Sequence, residues 1–124
     1  MTLVDTSVWI DHLRAGNRML RSLLEIGEVL AHPFVVRELA CGTLSNRVEI
    51  LTLLQALPEA QVAEHEEVMR VVEREQLHGQ GIGWIDAHLL ASARLSRAAL
   101  WTLDRHLSKI ASQLNLTAIS HGRG

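Results

Sequence analysis

With 124 residues, 48% of them hydrophobic, and a single cysteine, Cys41, the chain can bury one compact core but can form neither an internal disulfide nor a thiolate zinc cage. A formal net charge of −2 is unpromising for a nucleic-acid binder as a total, yet the charges are unevenly placed: Glu59, Glu64, Glu66, Glu67, Glu73 and Glu75 crowd one stretch, while beyond Asp86 the only acid is Asp104, set among Arg94, Arg97, Arg105, Lys109 and Arg123. No uncharged apolar run approaches the roughly 18 residues of a membrane span, and the first residues lack the basic and long apolar regions of an export leader, so a soluble, cytoplasmic, single-domain protein over 1–124 is expected.

In chain order, Thr2-Leu3-Val4 suits a short buried strand, and Ser7 to Leu13 and Asn17 to Ile26 carry helical spacing of apolar residues. Gly27 ends the second helix, Val29-Leu30-Ala31 can form another strand, and Pro33 can open a helix through Cys41 that Gly42 terminates. Ser45 to Ala56 and Glu64 to Gln76 read as a helical insertion, the latter with Val68, Val71 and Val72 as an apolar stripe. The glycines at 79, 81 and 83 form a loop, Ile85 to Leu95 resumes helical spacing, Ala99 to Leu103 is a strand, and Leu116 to Ile119 is the last strand candidate. Strands separated by helices imply an α/β fold: a small parallel sheet with helices on both faces, its functional crevice beyond the carboxyl ends of the strands.

Three of the four aspartates stand in contexts unusual for surface charge. Asp5 ends the first strand and Asp104 follows Leu100-Trp101-Thr102-Leu103, so two carboxylates share one end of the sheet. Glu38 has Phe34, Val35 and Cys41 at helical spacing, and Asp86 has Leu89 and Leu90, which predicts that both acids look inward. Clustered carboxylates persist only where protons or cations offset their repulsion. A hard divalent ion such as magnesium takes oxygen ligands and keeps waters beside a phosphate-bearing substrate, which points to phosphodiester hydrolysis. Each acid also has a plainer reading: Asp5 and Asp104 as helix caps, Asp86 at a helix N-terminus, Glu38 paired with an arginine.

Leu3-Val4-Asp5-Thr6-Ser7, Glu38 in the first helix after the second strand, Ile85-Asp86-Ala87 opening a later helix, and Leu100-Trp101-Thr102-Leu103-Asp104 occur in an order and spacing that resembles the PIN-domain ribonucleases, and among them the VapC-type toxins of toxin–antitoxin pairs. The resemblance runs nearly end to end. It implies a three-layer α/β/α domain, magnesium or manganese dependence, and endonucleolytic cutting of RNA at Asp5, Glu38, Asp86 and Asp104. Asp5, Asp86 and Asp104 are implied as metal ligands, the last often through water, with the hydroxyls of Ser7 and Thr102 supporting them. A homodimer and a cognate antitoxin that covers the active-site groove are implied as well.

Other features carry less. The seven histidines show no paired zinc spacing, and His88 reads as lying on a polar helix face. Trp84 reads as core, with base stacking as its second reading, and Cys41 as a small buried residue. A phosphoacceptor receiver domain would need an acid pair near the first strand and a well-placed lysine; Lys109, the one lysine, is poorly placed. A phosphatase of the haloacid dehalogenase type would need an acid where Ser7 stands. A non-catalytic module with a structural ion remains the third alternative.

Overall fold

The computed structural model describes residues 1–117. In it, β1 (Thr2–Val4), β2 (Val29–Leu30) and β3 (Ala99–Trp101) form one sheet in the order β2-β1-β3. Both pairings are parallel, with Thr2 opposite Val29 on one side and Ala99 on the other. The order of connection reverses at β1, so β1 is the switch point at which a crevice opens beyond the strand ends. The ladder continues one residue past β1, where the Asp5 N–H donates to the Trp101 carbonyl at 2.9 Å.

Leu3 and Val4 point to opposite faces of the sheet, and neither is exposed, so both faces are covered. That is the three-layer α/β/α arrangement. α6 (Trp84–Leu95) packs on β1 and β3, and α7 (Arg105–Gln113) packs on β3. α1 (Thr6–Ala15) meets α2 (Arg18–Glu25) and α3 (Pro33–Cys41); α3 meets α4 (Arg47–Gln55), and α5 (His65–Arg74) lies along α6. α6 is buried nearly all round, from Ala87 to Ala93, and its small residues Ala87, Ala91, Ser92 and Ala93 let the sheet and α5 approach it from different sides. Among the described residues no helix is long and apolar enough to cross a membrane.

Helix starts follow side-chain chemistry. The Asn17 side chain accepts from the Leu20 N–H to open α2, and Glu64 and Glu67 form a capping box on α5. α3 is opened by an unusual cap, His32, with Pro33 directly behind it. His32 Nδ1 accepts from the Phe34 N–H at 3.0 Å, so the neutral ring carries its proton on Nε2, which lies 3.1 Å from Ser92 Oγ of α6. Ser92 Oγ also accepts from the Ala63 N–H, and Ser96 Oγ from the Gln61 N–H. One buried imidazole and two serines thereby fasten α3 and the 59–63 segment to α6. That segment runs beside the sheet edge, where Ala31 and Glu59 form a parallel bridge.

The chain departs from the sequence reading in places. β3 stops at Trp101, because the Thr102 and Leu103 backbone leaves the ladder for the site described below. The Leu100 N–H donates to the Leu116 carbonyl, but no strand forms at Leu116, and residues 118 and 119 of the expected last strand lie outside the described residues.

Candidate active site

Asp5 follows the central strand and is 8% exposed. It occupies the N-cap position of α1 but makes no cap bond; its Oδ2 instead accepts from the Ser7 hydroxyl at 2.8 Å and the Thr102 hydroxyl at 2.7 Å. Both donors are themselves held. Ser7 Oγ accepts from the Leu103 N–H at 2.9 Å, and Thr102 Oγ1 from the Asp104 N–H at 3.0 Å. The start of α1 and the end of β3 are therefore tied through one carboxylate oxygen, which fixes the rotamer of Asp5 and leaves Oδ1 outside this network.

The other acids show a similar division. Asp104 Oδ1 caps α7 by accepting from the Leu107 N–H at 3.0 Å, so the capping reading of this residue holds for one of its two oxygens. Glu38 Oε1 accepts from the Thr6 hydroxyl at 2.5 Å, which draws α3 toward the first turn of α1. Asp86 lies in the first turn of α6, half-buried. Burial pushes its carboxyl up from the ordinary aspartate range, the Gly83 backbone N–H opposes this, and the nearby charges of Asp5, Asp104 and Glu38 raise it further. The four acids, distant in sequence, thus share one electrostatic neighbourhood at the strand ends.

No ion pair among the described residues includes any of the four; the pairs present are Met1–Glu28, Arg74–Glu75 and Arg94–Glu75. The arginine partner that would explain Glu38 is absent there. Nor do any three acidic, histidine or cysteine side chains among the described residues converge tightly enough to chelate an ion as they stand. The acids stand near enough to act on Asp86 through their charge, without being drawn into a chelating cluster.

Gly81, in the loop before α6, has φ +81°, and a Cβ there would stand 3.3 Å from the His106 ring of α7. The loop carrying Asp86 into place therefore rests on the helix that Asp104 opens, a close approach that glycine permits.

Several expectations need correcting. Glu38 and Cys41 are exposed, not inward-facing, because the side of α3 they occupy is left open. His88 is buried, with no hydrogen-bond partner for Nδ1 among the described residues, instead of lying on a polar face. Trp84 is 41% exposed, not core. Two residues that touch the site or hold it went unread: Thr6 and His32. A hydroxyl next to Asp5 was the available signal for Thr6; nothing local marks His32.

The family model of the PIN domain matches residues 2–113, nearly the whole described chain. The chain belongs to the PIN-domain family. It is similar to Ribonuclease VapC32 of Mycobacterium tuberculosis, found in two strains, with 48% identity over 108 residues that cover 86% of this chain and 87% of the relative. All four acids of this PIN domain fall inside the matched span.

Proposed function

We propose that this PIN domain is a VapC-type endoribonuclease that hydrolyses RNA phosphodiester bonds with the help of a divalent cation, magnesium or manganese, held by Asp5, Asp86 and Asp104. The observation that carries the reading is the convergence of four carboxylates, none paired with a cation among the described residues, at the switch point of the sheet. Family membership and the likeness to Ribonuclease VapC32 support the activity.

The donor set fits such an ion. It is made of hard carboxylate oxygens, the ligands that magnesium and manganese take, and because no three of these side chains chelate as they stand among the described residues, waters and the substrate phosphate would complete the ion's shell. When bound, the cation supplies a water of lowered pKa and offsets charge on the leaving oxygen. Asp5, locked by Ser7 and Thr102, presents its free oxygen in one orientation. Asp86, whose carboxyl is pushed up by burial and its acidic neighbours, would be drawn back toward its ionised form by a cation held beside it. Glu38, oriented by Thr6 on the exposed side, would serve as the base that takes a proton from the attacking water.

RNA as substrate and a VapB-type antitoxin as partner belong to this reading, as do a homodimer and a cytoplasmic location.

The test is cleavage of end-labelled RNA by the purified chain. Added manganese or magnesium is expected to start cleavage and a chelator to stop it, and each metal at millimolar concentration is expected to raise the melting temperature by binding the native state alone. Cleavage that persists unchanged in the chelator would overturn the metal assignment. No cleavage of any RNA after removal of partner protein would overturn the activity.

A further inference from the structure

Five side chains form one row that starts beside Glu38 and ends in solvent. Arg37 Cζ lies 5.7 Å from the centre of the Phe34 ring, Phe34 lies 4.6 Å from His88, His88 lies 5.4 Å from Trp84, and Trp84 lies 5.2 Å from His65. Helical spacing sets the row's direction: Phe34, Arg37 and Glu38 share a side of α3, and Trp84 and His88 share a side of α6. The middle of the row is buried, with His88 6% exposed, whereas Trp84 keeps 41% of its surface in water. His88 meets the indole edge-on, at 84°, and His65 meets it tilted, at 43°. A large ring so placed is already oriented, and little conformational freedom is lost when something stacks on it.

We propose that Trp84, braced by His65 and His88, is a stacking shelf for one nucleobase of single-stranded RNA, at a nucleotide flanking the bond that is cut. The inference rests on the ribonuclease reading above. Position argues for a flanking nucleotide. Trp84 and Asp86 leave the first turn of α6 two residues apart, hence on nearly opposite sides, so the shelf lies about one helix diameter, roughly 10–12 Å, from Asp86.

Charge argues for the strand's direction of travel. Arg37 is exposed at the end of the row nearest Glu38 and can meet a phosphate there, while Glu64 and Glu66 flank His65 at the far end and repel one. The phosphate chain therefore passes on the Arg37 side, and only a base reaches the indole. Stacking of this kind tolerates any base, because each has a π-face.

The experiment measures binding of a short fluorescein-labelled single-stranded RNA in a chain silenced by Asp5→Asn. Adding Trp84→Leu is expected to weaken binding about tenfold or more, while Trp84→Phe stays within about threefold. An abasic ribose-phosphate oligomer of equal length is expected to bind the W84L and unsubstituted chains alike. Unchanged RNA affinity in W84L, or an equal loss on the abasic oligomer, overturns the shelf. A shift in oligomeric state in W84L with RNA affinity unchanged assigns the ring to a protein contact and also overturns it. If the unsubstituted chain cuts RNA and W84L binds as tightly, the shelf alone fails; if the unsubstituted chain neither cuts nor binds RNA, the ribonuclease reading fails with it.

Discussion

Asp5→Asn is expected to lower metal-dependent RNA cleavage by about a thousandfold or more while leaving the chain folded. A bound cation contributes several kcal/mol to stabilising a phosphoryl transition state, and about 4 kcal/mol corresponds to a thousandfold in rate. Asparagine keeps the size of Asp5 and an oxygen that can accept from Ser7 and Thr102, and the backbone bond to Trp101 is untouched, so the tie between α1 and β3 survives. What is lost is the negative charge and the second oxygen. Asp86→Asn should behave similarly, with one added difference: it removes a carboxyl already pushed toward its neutral form, so the cation-free chain should lose little stability or gain some. Cleavage within tenfold of the unsubstituted chain for either variant, with an unchanged circular dichroism spectrum, would count against these acids as the active site.

The second large effect concerns His32, which takes no part in the chemistry. His32→Ala should cost about 3 kcal/mol or more. It removes the cap of α3, leaves the Phe34 N–H and the Ser92 hydroxyl short of a buried partner, and opens a cavity at a fully buried position. The same residue makes the fold sensitive to acid. Burial, assisted by the charges of His88 and Arg37, lowers its pKa from 6.5 to about 4. Between those values the unfolded chain binds the proton and the folded chain does not. The stabilising contribution is therefore complete above pH 6.5 and is lost progressively as pH falls toward 4, on the order of 3 kcal/mol in all. His32→Asn, which keeps a cap acceptor without a titrating group, should flatten this acid limb in urea melts taken across the window. A limb of equal depth in that variant would place the acid sensitivity elsewhere.

The sheet and most helices were legible because their signals are local. Pro33 at the first turn and Gly42 after Cys41 bound α3 to the residue, and Asp5 at the end of an apolar run announced a carboxylate at the sheet's carboxyl edge. The failures share a cause. Helical spacing told which residues neighbour Glu38 but not whether anything packs on that side of α3, and the side proved open. Reading β3 through Leu103 followed hydropathy, whereas Thr102 turns its hydroxyl to Asp5 and the Leu103 N–H bonds Ser7, contacts made across 97 and 96 residues of sequence. His32 meets Ser92 across 60 residues, and Thr6 meets Glu38 across 32. Hydrogen bonds at such separations leave no periodic trace, so the residues that hold a site are harder to read than those that form it.

A cation held among these carboxylates, as proposed, would offset their mutual repulsion. Crystals grown with millimolar manganese and measured at the manganese absorption edge test it most directly. An anomalous peak within coordinating distance of the free oxygen of Asp5 and a carboxylate oxygen of Asp86 is the expected result. Manganese bound only elsewhere on the chain, or no peak with both acids well ordered, would contradict it.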